Sequence, residues 1–277
     1  MKILLFGGSG LLGKELQRAL QAHTVLAPSH ADVDITDEAT VERAINETAA
    51  QYIINAAACI NVDALECDPE LAEYINAKGA GILARAAAKH NLPLLHISTN
   101  YVFAHSNLPY KEDAKRLPSN VYGLTKSQGE DLVRAALSKA RQYIVRTSWL
   151  YSPVRSTYID YAATMLAEGK VVEASTQIGN PTHAGELADA IVLHFIEGER
   201  QNGTYHLINT GEDATRYAIA REVARTLGVP EERVVSKEYS SSSLRPSVML
   251  INTKLPPLPS WRESLRMYIE TRYKKGS

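Results

Sequence analysis

The sequence predicts an α/β protein built on a doubly wound parallel sheet, and three observations support this prediction. Short apolar runs alternate with longer amphipathic segments through the first half of the chain, a pattern typical of βαβ units with helices on both faces of the sheet. The first apolar run, residues 2–6, leads directly into glycines at positions 7, 10 and 13. With 277 residues and 45% hydrophobic content, the chain can form one large domain with a smaller lobe.

The predicted elements follow one another in a regular order. Strands are expected at Lys2–Phe6, Thr24–Ala27, Tyr52–Ala58, Leu94–Ser98, Gln142–Arg146 and Thr204–Ile208. Helices are expected after the glycine turn, on Leu11, Leu12, Leu16 and Leu20, and then at Asp37–Ala49, Pro69–His90, Ser119–Leu137, Tyr158–Glu168, Glu186–Ile196, Tyr217–Leu227 and Trp261–Arg272. The alternation loosens past residue 150. Residues 1–150 are therefore predicted to form the first domain, and residues 151–277 mainly a smaller lobe with some segments that return to the first domain.

The glycine-rich turn predicts a dinucleotide site. Glycine allows a tight turn and a close backbone approach, and the helix that follows directs free N–H groups at a pyrophosphate. Any tight strand-to-helix turn favours glycine, so glycine alone does not indicate a ligand. The position of this turn in the first βα unit favours a dinucleotide-binding site. Small residues at the end of the third strand leave room for the cofactor. The residues predicted to contact the cofactor here are Gly7, Gly10, Leu11, Leu12, Gly13, Ala56, Ala57 and Ala58.

The end of the second strand bears on which nicotinamide cofactor is used. An acidic residue there would bind the ribose 2′-hydroxyl and repel a 2′-phosphate, but the chain continues with Ser29 and His30. These residues favour NADPH, with NADH still possible because Asp32 lies within reach. Asp34 and Ile35 are predicted near the adenine, although Asp34 is also suited to cap the next helix.

Charge and composition exclude several classes of function. The 30 basic and 31 acidic residues give a net charge of −1, which provides no general field for nucleic acid or for a membrane surface. Cys59 and Cys67 form neither a C-x-x-C motif nor a disulfide framework, and no twenty-residue apolar span is present. We therefore expect a cytoplasmic protein, a monomer or homodimer, with a small-molecule substrate and neither a nucleic-acid nor a membrane partner.

Tyr122 and Lys126 are the predicted catalytic pair. A spacing of four places both side chains on one helix face, and a nearby ammonium would lower the pKa of the phenol from about 10 toward the working range. Tyr74 and Lys78 have the same spacing, but they lie in the middle of a helix. Tyr122 instead opens the helix after the fourth strand, at the sheet edge where ligands bind. That strand leads into Thr99, whose hydroxyl could hold a substrate carbonyl beside the phenol.

Several motifs in order resemble one known family. They are GGSGLLG (7–13), NAAA (55–58), STNYVF (98–103), NVYGLTK (120–126), RTSWLY (146–151), QIGNPTHAGELADAI (177–191), GTYHLINTGEDATRYAIARE (203–222), the pair at 245–246 and LPSWRESLRMYI (258–269). Together they resemble the extended short-chain dehydrogenase/reductases, and among these the dTDP-4-dehydrorhamnose reductase family. The resemblance covers nearly the whole chain and implies a Rossmann-type domain with a C-terminal substrate-binding lobe.

The resemblance also implies roles for particular residues. The family transfers hydride from NAD(P)H to C4 of a nucleotide-linked 4-keto-6-deoxy sugar, with a threonine, a tyrosine and a lysine as catalytic residues; these carry over to Thr99, Tyr122 and Lys126, and the tyrosine and lysine also contact the cofactor. The substrate-binding residues implied are Val62, Asn100, Tyr101, Trp149 and Arg245. Trp149 is equally suited to close the core, and Arg245 to pair with a surface carboxylate rather than a diphosphate.

The chain departs from the family pattern near the expected sugar. Position 100 is Asn where the family usually has Asp, Ile60 stands where a threonine is usual, and residues 152–158 differ. Hydride chemistry is therefore expected to be retained, while the sugar is open to change. Some relatives bind magnesium through acidic residues; Glu15 is in the matching place, but Gly185 replaces the second acid, and no required metal is predicted.

Two other classes of function stay open. One is a related sugar-nucleotide epimerase or dehydratase that keeps its NAD bound; Asn100, in place of a carboxylate, argues against the dehydratase. The other is a non-catalytic nucleotide-binding regulatory subunit. An intact Tyr122 and Lys126 pair argues against that subunit.

Overall fold

The computed structural model describes residues 1–136, 141–212, 214–239 and 245–273. Its strands are β1 (Lys2–Phe6), β2 (Thr24–Leu26), β3 (Tyr52–Asn55), β4 (Leu94–Thr99), β5 (Gln142–Thr147), β6 (Leu150–Tyr151), β7 (Val172–Ser175), β8 (Thr182–His183), β9 (Gly203–His206), β10 (Asn209–Thr210), β11 (Val234–Lys237) and β12 (Leu258–Ser260). Six of them form the central sheet in the order β2-β1-β3-β4-β5-β9. All neighbouring pairs of this sheet are parallel.

The α-helices alternate with these strands. They are α1 (Leu11–Ala19), α2 (Glu38–Thr48), α3 (Val62–Cys67), α4 (Pro69–Ala72), α5 (Ala80–Lys89), α6 (Val121–Ala136), α7 (Tyr158–Ala167), α8 (Ala184–Ile191), α9 (Arg216–Leu227) and α10 (Trp261–Tyr273). Two π-helical segments, Glu73–Gly79 and Val192–Ile196, continue α4 and α8. Short 3₁₀ turns occur at Asn100–Val102 and Glu231–Arg233.

Apolar side chains cover both faces of the central sheet. On one face, α1 and α8 pack through residues such as Leu16, Leu187 and Ile191. On the other face, α2, α5 and α6 contribute Val41, Leu83 and Val133, among other residues. A sheet buried on both faces requires continuous apolar strands rather than alternating ones, which explains runs such as residues 3–6. The predicted doubly wound parallel sheet is confirmed.

The second lobe has a separate hydrophobic core. Helices α7, α9 and α10 pack around the two-stranded β7 and β11 sheet, with the buried Trp261 and Val223 among its members. The chain does not stay in this lobe, because β9 completes the central sheet beside β5 and α8 packs on α1. The division at residue 150 therefore stays a prediction, with residues 184–206 as the segment that returns.

The predicted bounds hold for most elements and fail where backbone geometry is irregular. The third strand ends at Asn55 rather than at Ala58, and the expected helix 69–90 is α4, a π segment and α5 in succession. The short helix α3 was not predicted, because only its N-cap, Asn61, signals it. The predicted end of α6, Leu137, lies outside the described residues. In the described part of the chain, no helix has the length and apolar content needed to cross a membrane.

Candidate active site

A cavity of about 620 Å³ opens at the carboxyl edge of the central sheet. Its position follows from topology: the strand order reverses between β1 and β3, and the loops that leave a sheet at such a point diverge and leave a crevice. The cavity is lined by Gly10, Leu11, Leu12, Gly13, Ala56, Ala58, Ile60, Asn61, Val62, Ile97, Ser98, Thr99, Asn100, Tyr101, Tyr122, Lys126, Thr147, Ser148, Trp149, Leu150, Arg155, Arg216 and Arg245. Most residues predicted from the sequence are therefore brought together.

The glycine turn forms one end of this cavity. Gly7 has φ +81°, and a Cβ there would lie 2.5 Å from the backbone of Ala56. A Cβ at Gly13 would lie 2.1 Å from the carbonyl oxygen of Gly7, so α1 can approach β1 only without that atom. Gly10 caps α1 without a side-chain hydrogen bond, which leaves the first N–H groups of the helix available for an anion.

Tyr122 and Thr99 both line the cavity. Thr99 ends β4 and is 7% exposed; its hydroxyl donates to the Asn100 side-chain oxygen at 3.3 Å and accepts the Tyr101 N–H at 3.2 Å. Burial raises the pKa of Tyr122 to about 12, although the nearby Thr99 hydroxyl lowers it. This direction is opposite to the one expected from the sequence. A phenol with this pKa is fully protonated at neutral pH, as a proton donor must be.

Lys126 lies one turn further along α6 and is 2% exposed. Its Nζ donates a hydrogen bond to the carbonyl oxygen of Ile97 at 2.7 Å and lies 3.3 Å from Nε2 of His96. Burial lowers the pKa of Lys126 to about 8, while the charge of Glu130 raises it. The ammonium is thus held by β4 instead of by the phenol, which explains why the pKa of Tyr122 is not lowered by it.

The start of α6 is fixed by Asn120 and by Glu66 of α3. The side chain of Asn120 accepts a hydrogen bond from the Gly123 N–H at 2.6 Å, and Glu66 of α3 accepts one from the Val121 N–H at 2.6 Å. A Cβ at Gly123 would lie 2.0 Å from the carbonyl oxygen of Tyr101. Glycine at this position therefore lets α6 approach β4 closely enough to place Tyr122 beside Thr99.

A buried carboxylate supports the same corner. Glu130 is fully buried and accepts hydrogen bonds from Ser98, Arg134 and Arg146 at 2.6 to 2.9 Å. Burial raises its pKa, but Arg146 and the other partners outweigh burial and hold the pKa at about 2. The resulting network joins β4, α6 and β5 under the cavity. Sequence reasoning missed it because its members are far apart in the chain.

The opposite wall of the cavity is built around Trp149. This residue has φ +40°, a strained conformation for an aromatic residue, and its ring sits over Gly179, where a Cβ would lie 2.4 Å from it. The guanidinium of Arg216 lies over two aromatic rings, 4.1 Å from the Trp149 ring centroid and 4.6 Å from that of Tyr158. The indole Nε1 is buried without a hydrogen-bond partner.

Arg216 is the main residue of this wall that the sequence did not indicate. It begins α9, and the charged and titratable groups that act on it in the described part of the chain are Tyr158, Tyr101 and Arg245, with no carboxylate among them. Burial lowers its pKa from the ordinary arginine value, but an arginine remains charged under all working conditions. With Arg155, Arg245 and Lys126, it makes the described lining of the cavity cationic, since that lining contains neither Asp nor Glu.

Two predicted substrate residues are engaged within the protein. Arg245 forms a bidentate ion pair with Asp63 across the two lobes, as one of the alternatives from the sequence anticipated. Asn100 is 2% exposed; its amide donates to the carbonyl oxygen of Val248 at 3.2 Å and its oxygen accepts from Thr99. The Asn at this position thus anchors the loop that precedes β12, a contact that an ionised Asp could not donate.

Val62 and Tyr101, which are predicted to contact the substrate, line the cavity, whereas the residues after β2 are not part of its lining. Ser29 donates its hydroxyl to Asp32 at 2.6 Å, and this hydrogen bond lowers the pKa of Asp32. Asp32, the carboxylate that leaves NADH possible in the sequence analysis, therefore lies beside Ser29 after the end of β2. His30 is exposed in the same loop.

The remaining positions predicted near the adenine are turned toward the protein. Asp34 accepts from the backbone and the hydroxyl of Thr36, at 2.9 and 2.7 Å, while Asp37 is the residue that caps α2. Ile35 is buried in the core and would clash with a Cβ at Gly79. Among the described residues, no group of three or more metal-ligating side chains was found, and Glu15 pairs with Arg18 at 2.9 Å.

Comparison with known proteins identifies the family. A model described as the RmlD substrate binding domain matches residues 1–273. The dTDP-4-dehydrorhamnose reductase of Mycolicibacterium smegmatis is 36% identical over 96% of this chain and 84% of its own. The chain belongs to the dTDP-4-dehydrorhamnose reductase family. The resemblance inferred from the motifs is thereby confirmed, as is the expectation of an NAD(P)H-dependent oxidoreductase.

Relatives within this family differ in the sugar for which they are named. A Streptomyces antibioticus protein named as a probable dTDP-4,6-dihydroxy-2-methyloxan-3-one 4-ketoreductase is 33% identical, over 96% of this chain and 94% of its own. Among solved structures, dTDP-4-dehydrorhamnose reductase from Bacillus anthracis in complex with NADP superposes with a TM-score of 0.87 at 27% identity, covering 98% of this chain and 99% of that one. Family membership fixes the reaction class more firmly than the sugar.

Proposed function

We propose that the protein transfers hydride from NADPH to C4 of a nucleotide-linked 4-keto-6-deoxy sugar, with dTDP-4-dehydrorhamnose as the first candidate and dTDP-L-rhamnose as its product. One observation carries the proposal: Thr99, Tyr122 and Lys126 converge in a cavity that has a glycine turn at one end and a cationic wall opposite. The name of the Mycolicibacterium smegmatis relative supports the choice of sugar. NADH remains a second hydride donor.

The residues at the glycine end fit a dinucleotide. The close approaches at Gly7 and Gly13 leave no room for a Cβ. The N-terminus of α1, which has no side-chain cap, offers N–H groups for the pyrophosphate. Ala56 and Ala58 would flank the cofactor, and Lys126 would hold the nicotinamide ribose. When bound, the cofactor supplies the hydride. The complex of the Bacillus anthracis relative with NADP is consistent with this placement.

The protein's own part in the chemistry is the delivery of a proton. Tyr122 is protonated, since its pKa is about 12, and Thr99 is positioned to hold the substrate carbonyl beside the phenol. As negative charge develops on the C4 oxygen, the phenol proton moves to that oxygen and leaves a phenolate. Such general acid catalysis contributes about 100- to 10,000-fold.

The cationic wall is suited to the diphosphate of the substrate. Arg216 has no described carboxylate partner, whereas Arg245 is paired with Asp63. A planar guanidinium binds phosphate oxygens in a bidentate fashion. We therefore assign the leading diphosphate contact to Arg216 and a supporting one to Arg245, and we place Val62, Tyr101 and Trp149 around the sugar. We assign the substrate-binding lobe to residues 151–277, apart from the returning segment.

A second sugar is favoured by one observation. Asn100 anchors the loop at Val248 instead of presenting a carboxylate next to Thr99, so the polarity near the sugar differs from the usual family pattern. Related 4-keto sugars, such as the one in the name of the Streptomyces antibioticus relative, are therefore the alternative substrates.

The test is turnover with a panel of substrates. The purified protein is incubated with NADPH and each of several dTDP-linked 4-keto-6-deoxy sugars, and cofactor absorbance is followed. We expect oxidation of NADPH with at least one sugar and none with the corresponding 4-hydroxy sugar. The matched control is Tyr122→Phe, which should bind NADPH and oxidise it about 100- to 10,000-fold more slowly. Tight NADPH binding without oxidation by any member of the panel would overturn the proposal.

A further inference from the structure

A line of buried polar side chains runs beneath the cavity from β3 to α6. Asn55, the last residue of β3, is paired in register with His96 in β4, and the Asn55 Nδ2 lies 3.1 Å from His96 Nδ1. On the other side of the imidazole, Nε2 lies 3.3 Å from the Nζ of Lys126. Asn55 is 1%, His96 0% and Lys126 2% exposed. A fully buried imidazole therefore contacts Lys126 beneath the cavity.

The orientation of Asn55 determines which nitrogen of His96 carries the proton. The Asn55 side-chain oxygen accepts a hydrogen bond from the Ala57 N–H at 3.1 Å, so the amide nitrogen is the atom that faces His96. An amide nitrogen can only donate, and His96 Nδ1 must then be the acceptor. Burial lowers the pKa of His96 well below its ordinary value, so the ring is neutral. A neutral imidazole that accepts at Nδ1 carries its proton on Nε2.

This tautomer has a consequence for Lys126. An ammonium has three donors and no lone pair, so an N–H from His96 that points at it is repulsive. An uncharged amine has a lone pair and can accept that N–H while it still donates to the carbonyl oxygen of Ile97. We propose that Asn55 and His96 act as positioning residues that present an N–H to Lys126 and thereby favour its uncharged amine form.

The other charges around Lys126 set the balance. Glu130, on the next turn of α6, favours the ammonium, whereas burial opposes it. Around His96, the charges of Lys126 and Arg134 oppose protonation of the ring and Glu130 favours it. Tyr122 stands on the same face of α6 as a neutral phenol. Glu130 favours the ammonium form of Lys126 and the His96 N–H favours the amine form. Both forms of Lys126 are therefore accessible near neutral pH.

For the reaction, this arrangement would ease the return of a proton to Tyr122. This part of the inference rests on the proposed function. After the phenol proton has moved to the sugar oxygen, the phenolate takes a proton from a bridging water, and that water takes one from the Lys126 ammonium, which becomes an amine. The amine then takes a proton from bulk water. Because His96 stabilises the amine form, the loss of the proton from the Lys126 ammonium is less unfavourable. No oxidant or reductant beyond the hydride donor is needed.

The first test measures the tautomer directly. The protein is labelled with ¹⁵N-histidine, without substrate or cofactor, and the ring nitrogens of His96 are assigned by comparison with His96→Gln. We expect a protonated Nε2 and an unprotonated Nδ1. A protonated Nδ1 with a bare Nε2 would overturn the inference, whatever the protein does with a keto sugar, because no turnover is involved.

The second test follows the charge of Lys126. In protein with ¹³C-labelled lysine, the Cε shift of Lys126 is titrated through the neutral and alkaline range, with Lys126→Met for assignment. Glutamine in place of His96 can turn its carbonyl oxygen toward the ammonium, so His96→Gln should raise the pKa of Lys126 by about one unit, the effect of one hydrogen bond to a charged group. The alkaline limb of kcat/KM should move to higher pH with it.

The matched control is His206→Gln. His206 is also fully buried and neutral, on β9 of the same sheet, but its Nδ1 bonds to the carbonyl oxygen of Ile251 and it does not touch Lys126. The same chemical change should destabilise the fold comparably and leave the pKa of Lys126 unchanged. An equal shift in both variants, or no shift in His96→Gln, would overturn the inference. The tautomer is measured on the unmodified chain, and if His96→Gln fails to fold, the His96 ring signals are assigned with His96→Asn instead.

Discussion

The two walls of the cavity are built in different ways. Thr99, Tyr122 and Lys126 come from β4 and the first turns of α6, elements that are adjacent in both sequence and space. The opposite wall combines Trp149, which follows β5, with Arg216 at the start of α9 and a loop residue, Arg245. The first wall is thus specified locally and the second by packing between lobes. In the proposed function, the local wall carries the chemistry and the assembled wall selects the substrate.

The walls also differ in how their charges are balanced. Under the first wall, Lys126 donates to a backbone carbonyl, and Glu130 is matched by Arg146 and Arg134. On the second wall, Arg216 stacks on aromatic rings and has no described acidic partner. Partial burial of a cation costs free energy unless an anion pairs with it. The comparison therefore predicts that changes on the first wall affect turnover and changes on the second affect binding.

The largest expected effect is on the first wall. Tyr122→Phe removes the phenol proton and keeps the ring, which packs edge-on against Tyr101 at 5.7 Å. We expect kcat to fall by about 100- to 10,000-fold, with the NADPH dissociation constant nearly unchanged, as measured by steady-state kinetics and by cofactor fluorescence. The control is Tyr74→Phe, because Tyr74 has the same spacing to a lysine but is 48% exposed on the surface. A comparable loss in the Tyr74 variant would place the chemistry elsewhere.

The second effect belongs to the opposite wall. Arg216→Met keeps an apolar side chain between Trp149 and Tyr158 and removes the charge. We expect the affinity for dTDP, measured by calorimetry without cofactor, to fall about 10- to 100-fold, the usual range for hydrogen bonds to a charged group, and the affinity for thymidine to change little. Arg221→Met, on the same helix but paired with Glu231 at the surface, is the control. Equal losses for dTDP and thymidine would mean that Arg216 shapes the pocket without contacting phosphate.

A third change probes the contact between the walls. Asn100→Asp replaces the buried donor to the Val248 carbonyl with an acceptor. We expect the free energy of unfolding to fall by about 1 to 3 kcal/mol, measured by denaturant titration, and turnover of every keto sugar to fall with it. The control is Asn61→Asp, since an Asp at the N-cap of α3 accepts the Ala64 N–H equally well. Unchanged stability together with faster reduction of dTDP-4-dehydrorhamnose would show that Asn100 acts on the sugar alone.

The same contrast explains how much could be predicted from the sequence. Periodicity predicts the strands, and short spacing predicts the glycine turn and the pair of Tyr122 and Lys126. The structure places this turn and this pair in the lining of one cavity. Arg216 and Glu130 could not be predicted, because an arginine or a glutamate in an amphipathic helix is ordinarily a solvated residue and only tertiary packing buries it. For Glu130, the sequence offered one indication: it lies four residues after Lys126 and therefore on the same face of α6.

The pKa of Tyr122 shows a further limit of sequence reasoning. From spacing alone, the ammonium of Lys126 should act on the phenol, but the depth of the helix in the protein decides the outcome. Burial raises the pKa of Tyr122 and lowers that of Lys126, as burial disfavours the charged form of any group. A one-dimensional pattern gives the neighbour of a side chain and not the dielectric around it.

The smallest expected effect lies outside both walls, at the end of β2. Asp32 holds the Ser29 hydroxyl and places a negative charge where a 2′-phosphate would approach. Asp32→Asn removes that charge and keeps an oxygen that can accept from the Ser29 hydroxyl, so the preference for NADPH over NADH should widen by roughly two- to fivefold, the range expected for an exposed, salt-screened contact. Dissociation constants of the two cofactors, measured at low and high salt, give the ratio. Asp37→Asn is the control, because it removes a nearby charge and keeps the α2 cap. A preference that moves toward NADH in the Asp32 variant would show that this carboxylate does not face the ribose.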